Sequence, residues 1–142
     1  MNILFLIHPN HAIENWPSNR QKLKSYYDDV INYSRKFDGL VIVHLMDKSG
    51  IGVWEDNPLW ELHDDFVRNI KSIADVVGYD QYELGCTFGD KFDDILLKYN
   101  PQKILIGGGY YGHCMRQTYN ELYKQYGTYL KEIGTKIFKV PS

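Results

Sequence analysis

Cys114 stands two residues after Gly112 in the run KILIGGGYYGHC, residues 103–114, where a short apolar stretch breaks on glycines. Glycine lets the backbone turn sharply and lets a ligand approach the amides, and successive N–H groups in such a turn form a concavity that suits a negative group. A cysteine opening a helix at that point lies near the positive end of the helix dipole, which lowers a thiol pKa toward reactivity. A thiolate nucleophile also needs a group to take its proton and donors to hold the oxyanion that forms on attack. Backbone amides around Gly109, Tyr110, Gly112 and His113 can supply the donors. His8, at the end of the first apolar run, can supply the base. His113 is a poor partner for Cys114, because adjacent helical residues point about 100° apart.

Other chemistries compete for the same residues. Cysteine is most often a small buried hydrophobe. Gly107, Gly109 and Gly112 spell G-x-G-x-x-G after a predicted strand, the form of a dinucleotide fingerprint. That motif also requires an acidic residue at the end of the next strand, and here that strand is predicted to end in Lys139, Val140 and Pro141. A phosphate-cradling P-loop lacks its Lys-Ser or Lys-Thr pair. His8, His11, His44, Asp47, His63 and His113 include no H-x-x-x-H pair, so neither a metal nor any other cofactor is expected. His63, beside Asp64 and Asp65, is expected on the solvent side of its helix.

The elements that must position these residues fit one domain, residues 1–142: 142 residues with 44% hydrophobic content suffice for one full core. A net charge of -2 with interspersed signs gives no basic footprint for nucleic acid and no polybasic membrane anchor. A small-molecule substrate or ligand is the expected partner, and a homo-oligomer stays open. The opening MNILFLIHPN has no basic start and no small-residue cleavage site, so it reads as a buried strand rather than a signal peptide. Two cysteines, Cys86 and Cys114, suggest a reducing, cytoplasmic setting more than a disulfide framework.

Along the chain, strand and helix patterns alternate. Residues 3–7 and 40–46 are continuous apolar runs of strand length, the pattern of strands buried on both faces. The stretch HPNHAIENWPSN between its prolines reads as a loop. From Asn19, Leu23, Tyr26, Tyr27, Val30, Ile31 and Ser34 recur at helical spacing until Gly39. After a loop at 47–58 with an exposed Trp54, a second helix runs from about Leu59 through Leu62, Phe66, Ile70, Ile73 and Val77, closed by Gly78. A strand at 82–84, a helix spanning Phe88 to Tyr99, the strand at 104–106, a helix after Cys114 and a strand at 136–140 complete the pattern. Such alternation predicts a three-layer α/β/α sandwich with a mainly parallel sheet. Ligands in that architecture bind beyond the carboxyl ends of the strands, where strand order reverses.

The residues from Gly108 through Cys114 to Thr118 resemble the signature of the isochorismatase-like cysteine hydrolases, with a glycine six residues before the catalytic cysteine and a threonine four after it. CTFGDKFDDILLKYNPQKILIGGG is similar to that family's small-small-Phe segment followed by helix, turn and strand, and NILFLIHPNHAI to its first strand and loop. The resemblance implies a Rossmann-like hydrolase of small amides or enol ethers, with a nucleophilic cysteine, an aspartate base on the first strand and a lysine on the third. Here the aspartate position falls on His8 and the lysine position on or beside Tyr82. Imidazole can still deprotonate a thiol, whereas tyrosine cannot replace a permanent cation. Three classes follow: a hydrolase using Cys114, His8 and Tyr82; a binding module that keeps the pocket without turnover, served by the aromatic loop around Trp54 and Trp60; and a dinucleotide binder.

Overall fold

The structure, a computed structural model, describes residues 2–80, 98, 103–108, 120 and 130–132. Strand β1 (Asn2–Ile7) leads through a 3-10 turn (Pro9–His11) and a single helical turn α1 (Ala12–Asn15) into α2 (Arg20–Lys36). There follow β2 (Leu40–Met46), a 3-10 turn (Lys48–Gly50), α3 (Trp60–Ile73), β3 (Val76–Asp80), β4 (Lys103–Gly108) and β5 (Leu130–Glu132). The described strands form one sheet in the order β3-β2-β1-β4-β5, and every pairing is parallel. This is the α/β sandwich that the alternating pattern predicts.

Register assigns the faces. Leu4 pairs with Val41 and Leu105, and Leu6 with Val43 and Gly107, so these share one face. That face packs against Leu23, Tyr26, Tyr27 and Val30 of α2 and Phe66 and Ile70 of α3. Both crossovers, β1 to β2 and β2 to β3, step in the same direction, and their right-handedness places both helices on that side. The opposite face carries Ile3, Phe5, Ile42 and Ile106, also completely or almost completely buried. A sheet dry on both faces explains why β1 and β2 are unbroken apolar runs instead of alternating ones.

Helix α2 buries Leu23, Tyr26, Tyr27, Val30, Ile31 and Ser34, the full stripe expected from spacing. Asn19 caps it by accepting from the Lys22 N–H at 3.1 Å. Such a cap stabilises by about 1 kcal/mol. Each fully buried large apolar side chain contributes roughly 1.5–3 kcal/mol, so packing against the sheet dominates over capping here.

The second helix differs from expectation at its end. It stops at Ile73, and Val76 and Val77 belong to β3, paired with Ile42 and Val43 of β2. Asp75 makes the transition: its N–H donates to the Val41 carbonyl at 2.8 Å, and its carboxylate accepts from the Val41 N–H at 2.8 Å. Gly78 is therefore a strand residue opposite His44, not a helix stop. The strands expected at 82–84 and 136–140, and the helix expected from Phe88 to Tyr99 apart from residue 98, lie outside the described residues. The stretch after His8, read as a loop, folds into the Pro9–His11 turn and α1. Trp54 is exposed, as its loop position predicts. Among the described residues, no helix is long and apolar enough to cross a membrane.

Entry into β2 requires Gly39. Its φ is 153°, a conformation disfavoured for residues with a Cβ, and an added Cβ would overlap the Asn2 carbonyl oxygen and lie 2.8 Å from the Phe37 ring. Gly39→Ala is expected to destabilise the fold by about 1–3 kcal/mol through backbone strain, and by more if β1 must shift to clear the clash. Urea unfolding checks this, and an unchanged midpoint would contradict it.

Candidate active site

The carboxyl ends of the strands gather histidines. From β1 the chain goes to β2 and β3 on one side, while β4 and β5 lie on the other, so strand order reverses between β1 and β4. Ile7 pairs with Gly108, which places His8 immediately beyond the level of the last residue of β4. Parallel α/β sheets receive ligands at such a reversal.

His8 reaches this position through unusual backbone. Its N–H still donates to the His44 carbonyl at 2.7 Å, continuing the ladder. The residue then turns left-handed at φ 47°, ψ 48°, the one non-glycine residue with positive φ among those described. Histidine is among the few side chains enriched there. Pro9 follows at the first position of the 3-10 turn, where its missing N–H costs nothing, and the His11 N–H closes the turn on the His8 carbonyl at 3.0 Å.

His8 is 1% exposed, and its ring centroid lies 5.3 Å from that of His44, with the planes 52° apart. His44 is on β2, in register with Ile7, and buried. His11 hydrogen-bonds Glu14 at 2.6 Å, and the same carboxylate oxygen accepts from the Gly52 N–H at 2.9 Å, tying the loop after β2 to the turn after β1. Burial first, then the neighbouring His44 and His11, hold the His8 pKa down to about 3. At neutral pH His8 is therefore a neutral imidazole with a ring nitrogen lone pair that can accept a hydrogen bond, or a proton to become imidazolium.

Behind His8 lies a polar cluster that local sequence reading misses. Asn10 donates from Nδ2 to the Met46 carbonyl at 2.8 Å and accepts at Oδ1 from the Met46 N–H at 3.1 Å. The Tyr27 hydroxyl donates to the Asn10 carbonyl at 2.8 Å. Asn10 Nδ2 also lies 3.0 Å from His63 Nε2, and His63 Nδ1 lies 2.9 Å from Asp64 Oδ1. This corrects the expectation for His63: it is 3% exposed and faces the core side, not solvent. Asp64, with roughly half of its side chain exposed, bridges it to the surface, where Lys48 completes the chain at 2.9 Å. Burial lowers the His63 pKa, and although Asp64 acts against that, the shift remains downward. Burial pushes Asp64 up, but its bonds from His63 and Lys48 outweigh this and leave it lowered.

Of the residues singled out from sequence, the structure places His8 at the strand reversal. Cys114, Tyr82, Gly109, Tyr110, Gly112 and His113 lie outside the described residues. Gly107 and Gly108 are described, and both are strand residues paired with Leu6 and Ile7, so β4 runs two residues into the expected turn. His44 enters the sequence reading only among the histidines weighed for metal binding, and Asn10 has no role in it. Their one sequence signal is polarity: a histidine inside the apolar strand LVIVHLM, and an asparagine beside Pro9. Among the described residues, no group of three or more histidine, cysteine, aspartate or glutamate side chains is arranged to hold a metal ion.

The neutral burial of His8 sets a pH dependence. An unfolded histidine titrates near 6.5 and His8 in the fold at about 3, so between these values the unfolded chain binds more protons. Stability is fully present above the unfolded pKa and falls as pH drops, by up to about 1.4 kcal/mol per pH unit for this one group. His63 adds to the loss in the same direction. His8→Asn keeps a side chain that tolerates left-handed backbone and removes the titration. Urea unfolding at pH 7, 6, 5 and 4 should show a shallower decline for His8→Asn, and an identical decline would refute the assignment.

No model of a known protein family, no characterised protein and no solved structure matches this chain.

Proposed function

We propose that this chain is a divergent isochorismatase-like cysteine hydrolase, cytoplasmic and acting on the C–N bond of a small amide. The observation that carries the reading is the placement of His8 at the strand reversal, level with the end of β4. The signature residues follow β4 directly. Cys114 is six residues beyond Gly108, a length that spans at most about 20 Å. Tyr82 follows the end of β3 by two residues, and β3 is two strand spacings, about 10 Å, from β1.

In this mechanism His8 accepts the Cys114 thiol proton as sulfur attacks the amide carbonyl. Backbone N–H groups of Gly109, Tyr110, Gly112 and His113 hold the oxyanion. The C–N bond breaks as the imidazolium returns its proton to the departing nitrogen, leaving a thioester. Water, deprotonated by His8, then releases the acid and the thiol. The burial that keeps His8 neutral makes it a ready acceptor in charge state but a weak one in basicity. An adjacent thiolate offsets this by stabilising the imidazolium.

The low basicity of His8 also favours a second reading, a module that binds a small molecule at this site without turnover. A panel of small amides and esters, together with alkylation of each cysteine against pH by mass spectrometry, separates the two. The hydrolase reading expects turnover, faster labelling of Cys114 than of Cys86, and a loss of about two to four orders of magnitude in kcat for His8→Ala. No turnover with Cys114 unreactive leaves the binding module.

A further inference from the structure

The two faces of the Asn10 amide are both committed. Oδ1 accepts from the Met46 N–H, one Nδ2 hydrogen goes to the Met46 carbonyl, and the other points to His63 Nε2. His63 must then present a lone pair at Nε2 and carry its proton on Nδ1, where Asp64 accepts it. Trp60 packs edge-on against the His63 ring at 4.7 Å and limits its rotation. Protonating His63 would set an N–H at Nε2 against the N–H of Asn10 in a buried space. An amide flip cannot relieve this, because it would oppose donor to donor and acceptor to acceptor at Met46.

We infer that His63 is a positioning residue for His8, acting through Asn10: as a neutral acceptor it locks the Pro9–His11 turn onto the end of β2, and its protonation releases that lock. Asn10 is two residues from His8, within the turn that closes on the His8 carbonyl. Withdrawal of Asn10 from Met46 therefore loosens the left-handed turn that aims the His8 ring.

Burial is the first influence on the titration and disfavours the charged form; Asp64 on the same helix favours it, and Lys48 from the turn after β2 opposes it. Tyr27 of α2 spends its hydroxyl on the Asn10 carbonyl, and His11 from the Asn10 turn pairs with Glu14. The consequence for chemistry rests on His8 serving as the base. The lock itself does not.

The test is NMR on the full chain between pH 7.5 and 4.5, following the ring nitrogens of His63, the His8 amide shift, and the protection factor of the Met46 amide. We expect the Nδ1–H tautomer at pH 7.5. As His63 titrates, Met46 protection should fall at least tenfold and the His8 amide should shift with the same midpoint. In His63→Gln, which keeps a neutral acceptor, that step should vanish. Asp64→Asn should lower the common midpoint and Lys48→Met should raise it, a readout that survives if His63→Gln fails to fold. Met46 and His8 signals that ignore the His63 titration, or an identical step in His63→Gln, would overturn the lock. No turnover enters these measurements, so an inactive protein with an intact lock refutes the hydrolase reading alone.

Discussion

Asn10 replaces a missing piece of sheet. The β1–β2 register ends at Ile7 and His44, so among the described strand residues none takes the Met46 N–H and carbonyl on the β1 side, and buried backbone groups without partners each cost about 1–3 kcal/mol. The Asn10 side chain fills both roles at once, at 2.8 and 3.1 Å. The left-handed His8, Pro9 and the short turn are what bring Asn10 to that place, so the shape of the site loop and the satisfaction of the β2 end are one constraint. Tyr27 extends it into the core: its ring stacks on Phe66 at 4.3 Å while its hydroxyl holds the Asn10 carbonyl. Helices α2 and α3 thereby grip the same loop that the sheet orients.

The other consequence of this packing is electrostatic. His8 and His44 stand in van der Waals surroundings from which water is largely excluded, and His11 lies near enough to depress His8 further. A charge on either neighbour penalises one on His8, on top of the cost of burial. His63 is different. It is equally buried but has an outlet through Asp64 and Lys48 to the surface. The buried His63 is thus connected to solvent through one carboxylate, that of Asp64.

The α/β class, the first two strands, the whole buried stripe of α2 and the placement of His8 at a strand end are legible in the sequence. Each rests on local periodicity or on an apolar run, and a local pattern is enough where burial is the only demand. Ile73 and Val77 also satisfy helical spacing, yet Val77 is a strand residue. Pairing with Val43 and the Asp75 clamp on Val41 decide that, and both partners lie more than thirty residues away. The position of His63 beside two aspartates argues for solvent by the same local logic. Only the folded chain supplies Asn10 as the acceptor's partner and turns the residue inward. What the sequence determined by itself is which side chains must leave water. Which polar side chains may follow them inside was decided by the tertiary structure, because a buried imidazole or amide is stable only when distant backbone and side-chain groups meet each of its donors and acceptors.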